Sequence, residues 1–118
     1  MACLFLKYLI LFMIKELDVF ELKNKIDNNE NFYLLDVRET WEYKLCKIPN
    51  SMLIPFGILP LKINELDPEK EYILYCHHGT RSFFACQILL KNGFKKIYNL
   101  KGGIHEYSRK VDNSIKQY

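Results

Sequence analysis

Cys76 opens a segment, CHHGTRS, whose residue types can do chemistry. An apolar, β-prone run, EYILY, precedes this segment, and the apolar residues that follow it have helical spacing. At such a junction the loop amides, the dipole of the following helix and the cationic Arg81 all place positive charge near the sulfur. These effects favour the thiolate, which is the nucleophilic form of cysteine. The segment therefore predicts a nucleophile that holds an anion at the start of a helix.

The other residues of the loop have roles that follow from their type. We expect Gly79 to adopt a positive φ, because the loop must curl back over its own sulfur. We expect Arg81 to hold the shape of the loop and Ser82 to cap the helix. His77 and His78 have two interpretations that stay open. They attract or hydrogen-bond an anionic substrate, or they are solvent-exposed loop residues.

The spacing from Cys76 to Arg81 separates two kinds of chemistry. Cysteine phosphatases use a C-x5-R loop whose amides surround a phosphate, whereas this loop is C-x4-R and one residue shorter. A shorter loop makes a smaller pocket, which suits one bound sulfur atom better than a tetrahedral oxyanion. The spacing thus argues against a phosphatase or an arsenate reductase.

Predicted strands alternate with predicted helices along the chain. The strands cover 31–38, 51–56, 71–76 and 94–103, and the helices cover 17–29, 39–46, 57–66, 81–93 and 104–118. This alternation is typical of an α/β fold with a central, mainly parallel sheet and helices on both faces. In such a fold ligands bind beyond the carboxyl ends of the strands. The last ten residues, 109–118, are interpreted as a solvated helix face or a frayed tail without function.

Local signals predict the ends of two of these helices. Asp18, with Glu21 three residues on, has the spacing of a capping box, and Gly93 stands where a left-handed C-cap is expected. The helix that Gly93 ends is apolar nearly all round, which indicates a helix sandwiched in the domain with Cys86 in the core.

Asp36 and Arg38 follow a buried strand and should flank the face that carries the cysteine. We predict that they support the site without performing chemistry. Asp36 is expected to accept hydrogen bonds from loop amides or from Arg81, and Glu42 to pair with Arg38 one turn on. Cys46 is interpreted as a half-buried packing residue, with a resolving thiol as the alternative.

Four segments in order resemble the rhodanese-like sulfurtransferases. CHHGTRS resembles the C-x-x-G-x-R-S active loop of that family, and LLDVRETWEY resembles its D-V-R-E-x-x-E-[YF] segment. KIPNSMLIP resembles H-I-P-G-A-x-x-I-P, and NLKGGIHEY resembles L-x-G-G-x-x-x-W. The resemblance covers about residues 13–107. This chain departs from the pattern at Cys46, Lys47, Asn50 and Tyr107, which stand where the family usually has Gly, His, Gly and Trp.

The resemblance implies a rhodanese-like fold and a double-displacement reaction. Cys76 would take the sulfane sulfur from a small anionic donor such as thiosulfate, hold it as a persulfide, and pass it to a thiophilic acceptor. His77, His78, Gly79, Thr80 and Arg81 would form the active-site loop, with Asp36, Arg38 and Ser82 in support and with neither metal nor cofactor. The alternative is a relay module that receives sulfur from a protein donor and turns over little thiosulfate.

Length and composition agree with a small enzyme. The 118 residues predict one domain, 13–118, preceded by an apolar extension of uncertain status, 1–12. A net charge of +3 does not indicate nucleic-acid binding. Four cysteines without a C-x-x-C pair indicate reduced thiols and a cytoplasmic protein. The apolar run from Cys3 to Ile14 is shorter than a membrane span, so we expect no membrane partner, and export is the alternative if residues 1–14 act as a signal segment.

Overall fold

A computed structural model describes residues 14–118 together with Leu4. The strands of the described part are β1 (Lys15–Leu17), β2 (Tyr33–Asp36), β3 (Ser51–Leu53), β4 (Glu71–Tyr75) and β5 (Lys96–Leu100). The α-helices are α1 (Val19–Asp27), α2 (Thr40–Leu45), α3 (Leu59–Lys62), α4 (Thr80–Lys91) and α5 (Gly103–Lys110). Short 3-10 turns, Phe56–Ile58 and Ile63–Glu65, flank α3. The expectations for residues 1–12 lie outside the described residues, apart from Leu4.

The strands form one parallel sheet in the order β1-β5-β4-β2-β3. The central strand is β4, which pairs with β2 (Leu34 with Ile73) and with β5 (Tyr72 with Ile97). The sequence did not predict β1, a three-residue edge strand. Because all strands run the same way, their carboxyl ends gather on one edge. The segments after β2, β4 and β5 therefore meet there.

Apolar side chains fill both faces of the sheet, which explains why the inner strands read as continuous apolar runs. On one face Leu35 and Leu74 pack with the buried face of α4, including Leu89. On the other face Leu34 and Ile73 pack with residues of α1 and α5. The expected α/β fold with helices on both faces is confirmed.

Capping residues determine where two helices, α1 and α4, begin. The cap of α1 agrees with the sequence prediction, and the cap of α4 does not. Asp18 accepts from the Glu21 amide at 2.8 Å and donates its own amide to the Glu21 carboxylate at 3.2 Å, so the expected capping box starts α1. Ser82 was expected to cap α4, and this is wrong. Gly79, in a left-handed conformation, is the N-cap, and Ser82 lies inside the helix. The prediction that α4 ends near a left-handed Gly93 is confirmed by a φ of +89°.

The last residues do not form a solvated helix face. The α5 helix ends at Lys110, and the chain then turns through Asp112–Ser114. Ile115 is buried against the core on the α1 and α5 face of the sheet. The chain thereby returns to the carboxyl edge of the sheet, where Tyr118 contacts the site described below. The interpretation of this segment as a frayed tail is therefore wrong.

Within residues 14–118, no helix combines the length and the apolarity that a membrane crossing requires.

Candidate active site

Cys76 directly follows β4 and lies at the amino end of α4, with 1% of its surface exposed. Three donors converge on its Sγ. The Gly79 amide lies 3.1 Å away, the Ser82 amide 3.4 Å and the Ser82 hydroxyl 3.3 Å. Together with the positive end of a twelve-residue helix, they favour negative charge on the sulfur.

Two glycines shape the loop over the sulfur. Gly79 has φ +104°, as the sequence predicted, and this conformation turns its amide towards Sγ. Gly103 lets the start of α5 approach the loop, because a Cβ there would lie 2.4 Å from the His77 carbonyl oxygen. The amides of Ile104 and His105 donate to the carbonyls of Cys76 and His77 at 2.9 and 3.0 Å. The start of α5 is thus bound directly to the loop backbone.

Asn99, a buried residue of β5, ties the loop to the sheet. Its Nδ2 donates to the Gly79 carbonyl at 3.1 Å, and its Oδ1 accepts from the Ser82 hydroxyl at 2.5 Å. A hydroxyl has one proton. While the hydroxyl donates its hydrogen bond to Asn99, Ser82 Oγ can accept a hydrogen bond from a Cys76 thiol. If the hydroxyl rotates, it donates to the thiolate, so Ser82 can serve both protonation states.

Arg81 pairs with Glu42 of α2 instead of with Asp36. Its two terminal nitrogens donate to the two carboxylate oxygens at 2.7 and 2.9 Å. Because Glu42 pairs with Arg81, the expectation that it pairs with Arg38 is wrong. Burial works to raise the pKa of Glu42, but the hydrogen bonds from Arg81, Tyr118 and the Glu39 amide outweigh burial and lower the pKa to about 2. Arg81 therefore anchors the loop to α2.

Arg38 is fully buried and pairs with Asp36, two residues before it. Its Nε lies 3.0 Å from both carboxylate oxygens, and its Nη2 lies 2.7 Å from Oδ2 and 2.6 Å from the Cys46 carbonyl. Asp36 accepts from the Arg38 amide as well, at 2.9 Å, so the prediction that it accepts from Arg81 or the loop amides is wrong. Burial works to lower the pKa of Arg38, but the bonds to Asp36 and Tyr118 outweigh it and raise that pKa.

Tyr118 joins the two ion pairs and was missed by sequence reasoning. Its hydroxyl donates to Glu42 Oε2 at 2.6 Å and accepts from Arg38 Nη1 at 2.8 Å. Its ring stacks on the ring of His77, with centroids 3.9 Å apart and planes 5° apart. Burial and the hydrogen bond to Glu42 raise the pKa of Tyr118. No local sequence signal points to this role, because a tyrosine in a polar tail has no periodic pattern around it.

The two loop histidines differ in environment. His78 is exposed, whereas His77 is half-buried between the rings of Tyr118 and His78. Burial and the neighbouring imidazole of His78 lower the pKa of His77. A third histidine, His105 of α5, has its ring centroid 4.8 Å from that of His78 and was missed by sequence reasoning.

Thr80 begins α4 at the rim of a cavity of about 300 Å³. The same cavity is lined by two phenylalanines, Phe83 and Phe84, and by two charged residues, Glu16 and Lys101. Phe84 is 49% exposed, although the apolar sequence of α4 predicted a helix sandwiched in the domain.

Known proteins resemble this chain both in sequence and in fold. The sequence profile of the rhodanese-like domain matches residues 18–110. This chain belongs to the rhodanese-like domain family. The rhodanese-like domain protein of Staphylococcus aureus superposes on it with a TM-score of 0.78 at 30% identity, covering 89% of this chain and 99% of that chain.

Two relatives among curated proteins have names that refer to sulfur. The sulfurtransferase of Allochromatium vinosum is 30% identical over 97 residues, which make up 82% of this chain and 91% of that protein. YrkF of Bacillus subtilis, provisionally named a sulfur carrier protein, is 36% identical over 99 residues. Those residues make up 84% of this chain and 54% of YrkF, so this chain spans about half the length of that relative.

The rhodanese-like fold of this chain brings the sequence-predicted residues to one edge of the sheet. Loop residues 76–82 follow the carboxyl end of β4, Asp36 is the last residue of β2, and Arg38 lies just beyond it. Cys86 is buried, as expected, and burial raises the pKa of its thiol. Cys46 is half-buried, with its Sγ 3.9 Å from Arg38 Nη1, which agrees with a packing role.

Proposed function

We propose that this chain is a rhodanese-type sulfurtransferase that carries a sulfane sulfur on Cys76 as a persulfide. The observation that carries the proposal is the convergence of two amide donors, from Gly79 and Ser82, and of the rotatable Ser82 hydroxyl on Cys76 Sγ. Preorganised donors stabilise negative charge at the atom towards which they point. A sulfur held in this way suits both a thiolate and the anion that forms when a second sulfur is bound to it.

In the first step, the Cys76 thiolate attacks the outer sulfur of thiosulfate, a small dianionic donor. A bond forms between Sγ and that sulfur, and the S–S bond of thiosulfate breaks. Its electron pair leaves with sulfite, and a persulfide anion remains on Cys76. This is a two-electron displacement at sulfur, so its balance requires neither a metal nor a cofactor.

In the second step, an acceptor nucleophile attacks the outer sulfur of the persulfide. With cyanide the product is thiocyanate, and with a thiolate it is a new persulfide. The S–S bond of the Cys76 persulfide breaks, and its electron pair returns to Sγ as the thiolate. The Ser82 hydroxyl lies 3.3 Å from Sγ and supports this leaving thiolate by donating to it.

Arg81 and the pair Asp36 and Arg38 act as positioning residues in this scheme. The Arg81 guanidinium is held in a two-point ion pair by Glu42, so we assign it the role of fixing the loop and not that of binding substrate. Arg38 and Asp36 are fully buried, and Arg38 holds the carboxyl end of α2 through the Cys46 carbonyl. We treat residues 13–118 as one catalytic domain that works in a reducing, cytoplasmic environment, because the chemistry needs a free thiol.

A second candidate is a persulfide relay, which one surface feature favours. Phe83 and Phe84 line the 300 Å³ cavity beside the loop, and Phe84 is half exposed. Aromatic side chains exposed next to a reactive loop offer apolar contacts to a protein that docks there. In this alternative the donor is a persulfide on a partner protein, and the displacement at Cys76 is unchanged.

Thiocyanate formation tests the transferase proposal. Purified protein with thiosulfate and cyanide is expected to release thiocyanate, and Cys76→Ser to release none above background. Cys46→Ser is the matched control, because Cys46 is a half-buried thiol outside the loop, and it should keep the activity. A wild-type protein no faster than Cys76→Ser would exclude the thiosulfate reaction. Persulfide transfer from a persulfidated cysteine desulfurase, without thiosulfate turnover, would select the relay.

A further inference from the structure

All three histidines of the chain gather at the mouth of the Cys76 loop. His77 and His78 come from the loop itself, and His105 comes from the first turns of α5. One ring nitrogen from each lies within 4.8 Å of the other two. Two elements that are far apart in sequence thus bring three imidazoles to one point.

The backbone that carries these side chains is fixed. The His105 amide donates to the His77 carbonyl at 3.0 Å, so the two residues are joined directly. Gly103 allows this approach, because any side chain there would collide with the same carbonyl. The His77 ring is stacked on the Tyr118 ring on one side, and the His78 ring lies 4.0 Å away. The backbones of His77 and His105 are therefore held together, and only side-chain rotation is needed to change the distances between the imidazoles.

The nitrogens of the cluster are poorly satisfied by the protein. His77 Nε2 is buried and has no hydrogen-bond partner among the residues that the structure describes. A buried polar atom without a partner costs about 1–3 kcal/mol. His105 Nε2 has only a long contact, 3.5 Å, with the exposed guanidinium of Arg109. A metal ion, which accepts lone pairs, would give both of these ring nitrogens a bonding partner.

We propose that His77, His78 and His105 form a binding site for a borderline divalent transition-metal ion of the Zn²⁺ class. Imidazole is the preferred neutral ligand for such ions, and three imidazoles with one open position is a known Zn²⁺ geometry. With Zn–N distances of about 2.0–2.1 Å, tetrahedral ligand nitrogens lie about 3.4 Å apart. The present spacing of up to 4.8 Å closes to that value by rotation of side chains, and exposed His78 is free to make most of the change.

The charges around the cluster allow a cation. Arg109 and Lys116 oppose it, and Lys116 lines the same pocket as two of the imidazoles. The Arg109 side chain is 55% exposed and interacts with Glu106 at 3.9 Å, so it can swing towards solvent. Glu106 directly follows one of the imidazoles in the chain, and Glu42 accepts from the tyrosine that stacks on another, so both place negative charge near the cluster. The proposal concerns binding of a metal and does not rest on sulfur transfer.

Titration of the reduced protein with Zn²⁺ alone, in competition with a chromophoric indicator, tests this site. We expect one Zn²⁺ per chain. His105→Gln and His78→Gln should each weaken binding at least about tenfold, since even the loss of an outer partner of a ligand costs ten- to hundredfold. His78 is exposed, so its replacement tests the site without risk to the fold.

Two controls separate this site from other modes of binding. Glu69→Gln removes an exposed carboxylate that precedes β4 at the opposite edge of the sheet, and it should bind as the wild type does. Cys76→Ser should also keep the site, because all three proposed ligands are imidazoles. If His105→Gln and His78→Gln bind Zn²⁺ as tightly as the wild type, the proposal is wrong. If Cys76→Ser abolishes binding, the site is a thiolate site and the assignment is likewise overturned.

Discussion

The hydroxyl of Tyr118 donates a 2.6 Å hydrogen bond to Glu42, the carboxylate that anchors Arg81 of the Cys76 loop. The same hydroxyl accepts from buried Arg38 at 2.8 Å. One side chain from the end of the chain thus joins the ion pair beyond β2 to the ion pair that holds the loop. Loop geometry therefore depends on residues far from the cysteine in sequence.

Tyr118→Phe should destabilise the protein by about 1–2 kcal/mol. The ring would still stack on His77, but two charged side chains, Glu42 and Arg38, would each lose their hydrogen bond with the hydroxyl. Urea unfolding measures the change. Tyr33→Phe is the matched control, because Tyr33 is 41% exposed and lies on the opposite edge of the sheet, and it should change stability by less than about 0.5 kcal/mol. Equal effects of the two substitutions would contradict the bridging role.

Glu42→Gln should remove part of the pH dependence of stability. The folded-state pKa of Glu42 is about 2 against an ordinary 4.5, so its contribution is present above about pH 4.5 and is lost as the pH falls towards 2. Because Arg81 is about one-third exposed, solvent screening limits this contribution to about 1–2 kcal/mol. Unfolding experiments from pH 7 to pH 3 should show a shallower acid decline for the variant. Parallel curves for the two proteins would exclude the effect.

Gly103→Ala should impair both folding and sulfur transfer. The new Cβ would lie 2.4 Å from the His77 carbonyl oxygen and 2.5 Å from that of Cys76, at a φ of +61°. Relief requires α5 to move away from the loop, at a cost of about 1–3 kcal/mol. Gly57→Ala is the control, since a Cβ there meets nothing within 4 Å. Chemical denaturation and thiocyanate assays on both variants test this, and a Gly103→Ala protein that matches Gly57→Ala would refute the packing argument.

Ser82→Ala should slow the reaction of Cys76 with thiosulfate about fivefold. The substitution removes one of the three donors to Sγ, and a hydrogen bond of this kind is worth about 1 kcal/mol. Stopped-flow measurement of persulfide formation gives the rate. Ser114→Ala, which alters an exposed turn, should react like the wild type. An unchanged rate for Ser82→Ala would mean that the two amides alone stabilise the sulfur.

The local and periodic parts of this structure could be predicted from the sequence. The capping box of Asp18 and Glu21, the positive φ of Gly79 and the alternation of apolar strands and helices depend on neighbours in the chain. The parallel sheet then follows, and with it the meeting of Cys76 and Arg38 at one edge.

The partners of the charged residues could not be predicted in the same way. The sequence suggested Asp36 as the partner of Arg81, whereas the structure pairs Arg81 with Glu42, and spacing along the chain does not reveal a contact between residues that are 39 positions apart. Tyr118 and His105 carry no motif of their own. Each reaches the site because a helix or tail packs there, which only the three-dimensional arrangement reveals.

The mass of Cys76 after exposure of the reduced protein to thiosulfate tests the central claim most directly. Digestion without reductant, followed by mass spectrometry, should show the Cys76 peptide heavier by one sulfur atom. Cyanide should restore the original mass with release of thiocyanate, while the Cys46 and Cys86 peptides stay unmodified. If Cys76 gains no sulfur from thiosulfate or from a protein persulfide, or if another cysteine carries it, the proposed role of Cys76 is contradicted.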